Sequence, residues 1–133
     1  MIKIINKIIN TEINKELEDI NIFLADKTSL PEYIVNSMEK YRGFPAVKDE
    51  HNQIEMTYDE VLDNIKWISS AMQVAGIQKG DFVTFISENN GKHFIFNQGI
   101  MKAGAVSVLR GTETEESELK YILEHSESKA VIL

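Results

Sequence analysis

Residues 81–111 read as strand, turn, helix and strand in succession. Phe82-Val83-Thr84-Phe85-Ile86 is a short apolar run of strand formers, and Ser87-Glu88-Asn89-Asn90-Gly91 interrupts it with turn residues. The spacing then predicts a helix over 93–102 closed by Gly104, and a second apolar strand over 105–109. Two short buried strands joined by a helix form a βαβ unit, the building block of parallel sheets. A third apolar run, Lys129-Ala130-Val131-Ile132-Leu133, predicts another strand over 130–133. The expected fold class is therefore α/β, a parallel βαβαβ sheet flanked by helices, with right-handed crossovers. The unit holds no constellation suited to catalysis.

The elements before this unit are legible from their caps. Thr57-Tyr58-Asp59-Glu60 is a capping box that starts a helix, with Val61, Leu62, Ile65, Ile68, Met72 and Ala75 as its buried stripe. Gly76 stands where a left-handed residue closes a helix. Ser29 with Glu32 is a second capping box, with Pro31 in the first turn. It opens a helix over about 30–41 that places Leu30, Ile34, Met38 and Tyr41 on one side. Ala46-Val47-Lys48 and Ile54-Glu55-Met56 flank the polar turn at His51-Asn52-Gln53, which predicts a β-hairpin, separate from the parallel sheet or at its edge. After the second sheet strand, Thr114 is the expected N-cap of a helix with Leu119, Ile122 and Leu123 inward.

Residues 1–27 form a separate segment. Ile2, Ile5, Ile9, Ile13, Leu17, Ile20 and Leu24 recur at three- and four-residue intervals, the stripe of an amphipathic helix. A membrane-surface helix favours Lys and Arg on its polar face, whereas this one turns acidic after Lys7 with Glu12, Glu16, Glu18 and Asp19. The expectation is a helix docked on its own protein or on a second copy. Residues 28–133 make the α/β part. The final strand, apolar on both faces, calls for cover on both sides. This leads us to expect an incomplete subdomain, and a homo-oligomer held by the helix, the open sheet or both.

Composition removes several classes of function. The 133 residues carry a formal net charge of −7, which argues against a nucleic-acid partner. No cysteine is present, so thiol nucleophiles, disulfides and cysteine metal sites are excluded. No apolar run reaches transmembrane length, and the Lys- and Asn-broken start is not a signal-peptide core, so the expected location is cytoplasmic. His51, His93 and His125 are widely spaced and read as surface or turn residues rather than ligands. Gly76-Ile77-Gln78-Lys79-Gly80-Asp81 has glycines and a lysine but precedes a strand, so it reads as a helix cap and tight turn rather than a phosphate loop. Glu115, Glu116 and Glu118 fall in a helix first turn, where they compensate the dipole rather than form an acid–base pair. Tyr58 and Trp67 are spaced for helix packing.

The order of the motifs resembles one family. Met56-Thr57-Tyr58-Asp59-Glu60-Val61 resembles the first core motif of the AMP-forming adenylating enzymes: the acyl-CoA synthetases, peptide-synthetase adenylation domains and luciferases. Met101-Lys102-Ala103-Gly104-Ala105-Val106 is similar to their second core motif. The segments at 76–83, 87–89, 118–123 and 126–131 also look like the family, so that the resemblance runs from about residue 29 to the end. One departure is Val108-Leu109-Arg110-Gly111, where the family usually has Pro, an apolar residue and Asp; the Arg-Gly ending looks more like long-chain fatty acid ligases. The resemblance implies the first part of the large N-terminal domain of the acyl-adenylating fold. It also implies a parent enzyme that uses ATP and Mg²⁺ to make an acyl-adenylate from a fatty acid, then coenzyme A to make a thioester. The family's phosphate loop, its aromatic-Thr-Glu motif, its ribose-binding Asp and its C-terminal-domain Lys have no counterpart in these residues. No catalytic, cofactor-binding or metal residue is therefore carried over, and the fragment alone is expected to be inactive. A carrier-protein-acylating enzyme of the same superfamily and a non-catalytic α/β interaction module are the alternatives.

Overall fold

The computed structural model describes Lys15 and residues 29–133, and the expected helix over residues 1–27 lies outside the described residues apart from Lys15. The chain forms two compact units, Met1–Ile34 and Val35–Leu133. In the first, the Ser29 backbone N–H and hydroxyl both donate to Glu32 Oε2, at 3.0 and 2.8 Å. That contact opens helix α1 (Leu30–Glu39), whose buried residue is Met38. The helix ends before Tyr41, because Lys40 and Tyr41 bond back only three residues, to Ser37 and Met38. Tyr41 thus leaves the expected stripe and packs its ring on Tyr58, 5.8 Å away. Leu30, also expected inward, is more than half exposed.

Strands β1 (Pro45–Asp49) and β2 (Ile54–Thr57) pair antiparallel as a two-stranded sheet of their own. Their turn is closed by Asp49, whose carboxylate accepts from the Asn52 backbone (3.1 Å) and side-chain amide (2.9 Å). Side-chain acceptance of this kind is why Asp favours turns. β2 runs directly into helix α2 (Tyr58–Val74) through Thr57, and both halves of the capping box form. Val61, Leu62, Ile65 and Ile68 are buried as expected. Ala75, by contrast, is the exposed C-cap, and Trp67 points away from the packed face with two-thirds of its surface in solvent.

The main sheet contains β3 (Phe82–Ile86), β4 (Val106–Arg110) and β5 (Ala130–Ile132), in the order β4-β3-β5 with every pair parallel. Helix α3 (Gly91–Lys102) links β3 to β4, and helix α4 (Glu116–Ser126) links β4 to β5. Helix α3 starts earlier than expected because Asn90 Oδ1 accepts from the His93 N–H at 3.0 Å, which places Gly91 in the first turn. β4 starts one residue later than expected. Gly104 (φ +89°) donates to Met101 O, and Ala105 donates to Ile100 O. This Schellman pair uses Ala105 to close the helix before the strand begins. The same pair closes α2, with Gly76 bonding Gln73 and Ile77 bonding Met72. The apolar residues at both closures, Ile77, Ile100 and Ala105, join Val83 and Phe85 in the core. Thr114 is not the cap of α4: its hydroxyl donates to Gly111 O at 2.8 Å, closing the preceding turn, and Glu115 takes the cap position without a side-chain bond. Among the described residues, no helix is long and apolar enough to cross a membrane.

Candidate functional site

Register fixes which residues meet at the carboxyl end of the sheet. Phe85 pairs with Leu109 and Ile86 with Arg110, so both strands end together. The Ser87 N–H still reaches Arg110 O at 3.1 Å, holding the two following loops side by side. Between these loops lies an open recess of about 420 Å³. Ser87, Glu88 and Asn89 line one side; Leu109, Arg110, Gly111, Thr112 and Glu113 line the other; His93 in the first turn of α3 completes it. In open α/β sheets, ligands bind outside the carboxyl ends of the strands.

Packing positions the polar groups of the recess. The His93 ring stacks on Phe85 (centroids 5.0 Å), which in turn stacks on Phe96 (5.5 Å). His93 is thus a half-buried helix residue on an aromatic ladder, not the surface or turn residue that the sequence suggested, and its Nδ1 is enclosed without a hydrogen-bond partner. The Arg110 Nη1 donates to Leu109 O at 2.7 Å, while its Nε is enclosed and unpartnered. The sequence reading set His93 aside as a surface or turn residue and assigned Arg110 no role. The signal for Arg110 was present as the Arg-Gly departure after β4.

A second recess, about 450 Å³, adjoins the first and runs between Asn89–Gly91 and the hairpin tip at Asp49–Asn52. Asp49 Oδ2 also accepts from the Gly91 N–H at 3.2 Å and so supports the start of α3. Hydrogen bonds from Asn52, and then from Gly91, hold the Asp49 carboxyl below its usual range. His51 is exposed at the hairpin tip, and His125 stacks on Tyr121 of α4 (5.5 Å), so the three histidines do not converge. The Gly76–Asp81 turn lies at the opposite, amino end of β3, where Asp81 Oδ2 accepts from the Gln78 N–H at 2.7 Å. Gly104 packs there as well: a Cβ on it would sit 3.3 Å from Lys79 Cβ. Glu115, Glu116 and Glu118 are exposed at the start of α4. Among the described residues, no three His, Asp or Glu side chains are grouped to hold a metal ion. The first recess offers one guanidinium against the carboxylates of Glu88 and Glu113. These residues do not by themselves fit a nucleoside triphosphate with its Mg²⁺.

A parallel sheet with a capped helix before it and a recess at its carboxyl end defines an open α/β subdomain. Solved structures agree in fold. The Klebsiella oxytoca NpsA N-terminal subdomain superposes with a TM-score of 0.70 at 23% identity, over 78% of this chain and 27% of that one. A Mycobacterium tuberculosis fatty acyl CoA synthetase gives 0.69 at 26% identity, over 74% and 20%. The family model for AMP-binding enzyme matches residues 34–133, most of the chain, and the chain belongs to that family. Among curated relatives, a chloroplastic long-chain-fatty-acid–[acyl-carrier-protein] ligase of Arabidopsis thaliana is 29% identical over 107 residues. A probable chloroplastic acyl-activating enzyme of the same plant is 31% identical over 111. Each alignment covers 79% of this chain and 15% of the relative, so the chain spans about a seventh of their length.

Proposed function

We propose that the chain is the N-terminal segment of an AMP-forming fatty acid–CoA ligase, with residues 1–27 as a separate segment and residues 28–133 as the start of the large domain. The family match over residues 34–133 carries this reading. The fatty acid is favoured by the Arg110-Gly111 ending and by the fatty acyl ligases among the similar proteins. In this reading the parent enzyme takes ATP, Mg²⁺ and coenzyme A through residues outside this chain, and its setting is the cytoplasm, although the two plant relatives above are chloroplastic. This chain supplies scaffold: the α2 cap, the close packing at Gly104 and the carboxyl-end loops. A specific observation favours a second acceptor, since the Arabidopsis ligase named above acylates a carrier protein.

The test extends the reading frame beyond Leu133 to the complete enzyme and measures ATP–pyrophosphate exchange with a panel of fatty acids. Exchange followed by AMP release with coenzyme A supports the ligase. Release only with a phosphopantetheinylated carrier protein transfers the assignment to the second acceptor. No exchange with any fatty acid refutes the fatty acid assignment, and no exchange with any carboxylic acid leaves a non-catalytic module. The 133-residue chain alone is expected to give no exchange above a buffer control.

A further inference from the structure

Asn90-Gly91 is the one Asn-Gly pair in the sequence, and the fold requires both of its residues. Asn90 is the extended N-cap of α3, and its Oδ1 accepts from the His93 N–H at 3.0 Å. Gly91 follows where α3 runs against the hairpin. A Cβ on it would lie 2.7 Å from Val47 Cγ1 and 3.8 Å from Asp49 Cβ and Ile54 Cγ2. Asparagine is a chemically labile side chain. It is most open to internal attack before a glycine, because no side chain shields the glycine nitrogen. Cap and close packing together thus place a reactive dipeptide on the wall of the second recess, at the start of the helix that carries His93.

Both reacting groups are held. The Gly91 N–H, the nucleophile in such an attack, donates to Asp49 Oδ2 at 3.2 Å. Asp49 is itself fixed by the two bonds from Asn52, and its negative charge opposes loss of the Gly91 proton. The Asn90 side-chain carbonyl is engaged by His93.

We infer that Asn90 is a guarded deamidation site, and that the Asp49–Gly91 contact is the guard. In the reaction the Gly91 nitrogen gives up its proton and bonds to Asn90 Cγ, closing a succinimide ring. The Cγ–Nδ2 bond breaks, and the amide nitrogen takes that proton and leaves as ammonia. Water then opens the ring at either carbonyl, giving aspartate or isoaspartate, with no oxidant or reductant needed. Aspartate keeps a cap for α3 but adds a carboxylate to a recess already lined by Asp49, Glu50 and Glu88. Isoaspartate lengthens the backbone by one carbon and removes the cap. The inference does not rest on the ligase reading.

The test ages the 133-residue chain in mildly alkaline buffer, with and without urea. Mass spectrometry with peptide fragmentation follows the conversion of each asparagine. In urea, Asn90 should convert faster than any other asparagine. In buffer it should convert at least about tenfold more slowly, since reaction then waits on local opening. Asp49→Ala should return Asn90 most of the way to its urea rate, while Asn64 and Asn97 on the helices keep their slow rates. If all asparagines accelerate together, the alanine variant has unfolded, and Asp49→Asn decides. It keeps a neutral acceptor, and its Asn90 rate should lie between native and urea values. Equal Asn90 rates in buffer and urea, another asparagine converting faster in urea, or a rate unchanged by both substitutions overturns the site. No turnover is measured, so that failure would leave the ligase reading untouched.

Discussion

The Thr57–Glu60 pair shows how much two side chains decide. Glu60 Oε2 accepts from the Thr57 N–H at 2.8 Å and from its hydroxyl at 3.0 Å. These bonds, the backbone one first, hold the Glu60 carboxyl below its usual range. A carboxyl whose folded pKa is depressed adds stability that is present above its unfolded pKa and is lost as pH falls through the folded one. The difference in stability between the native chain and Glu60→Gln should therefore be full at neutral pH. It should begin to shrink below about pH 4.3, the ordinary glutamate value, and vanish in stronger acid. Thr57→Ala should cost about 1 kcal/mol of unfolding free energy, the usual loss for an N-cap, by urea denaturation at neutral pH. An unchanged midpoint would show that the cap is dispensable. This cap was legible in the sequence because its logic is local. Thr114 was misread for the complementary reason: its hydroxyl had a nearer acceptor, Gly111 O, which no pattern of residue types reveals. Arg110 and His93 were illegible as a pair, because they are brought together by the register of β3 against β4.

Helices α2 and α3 pack tightly at Gly99. A Cβ on Gly99 would lie 2.4 Å from Ile68 Cγ2 and 2.6 Å from Ile68 Cβ. The second atom is attached directly to the α2 backbone and cannot swing aside. Gly99→Ala gains about 1 kcal/mol of helix propensity. The overpacking it causes costs about 1–3 kcal/mol, so the net expectation is a less stable chain with α2 and α3 pushed apart. Thermal melting monitored by Trp67 fluorescence and circular dichroism would check it, and a raised midpoint would contradict the packing. The three parallel strands and the hairpin were readable from short apolar runs and turn residues, since those signals are periodic and local. Exact strand starts were less so. Ala105 is apolar enough to begin β4, but the Schellman closure of α3 takes its N–H first. Trp67 shows the limit of periodicity: its spacing suits packing, yet the neighbouring element leaves that side of α2 in solvent.

Across the whole molecule, one sheet face is incompletely covered. Phe82 and Val106 pair across β3 and β4, and Val131 pairs with Thr84, so pleating puts all three on the same face. Their exposures are 42, 41 and 45%. Fully exposing a large apolar side chain forgoes about 1.5–3 kcal/mol of burial, and these three partly exposed neighbours make a patch that a partner surface would cover. Among the described residues, β4 and β5 are also the edges of a three-stranded sheet, and edge strands present N–H and C=O groups that can pair with another strand. The Ile2-to-Leu24 stripe, outside the described residues, is a second apolar candidate in the sequence. Symmetric self-association is the expected outcome for the isolated chain, because one patch can serve both copies. Light scattering at micromolar concentration should report a dimer or larger closed assembly, and a clean monomer would rule this out. Repeating the measurement without residues 1–27 separates the two surfaces. A shortened chain that becomes monomeric assigns association to the N-terminal stripe. One that still associates assigns it to the sheet, and Val106→Lys together with Val131→Lys should then dissolve it, since charged side chains at a sheet edge and face oppose pairing.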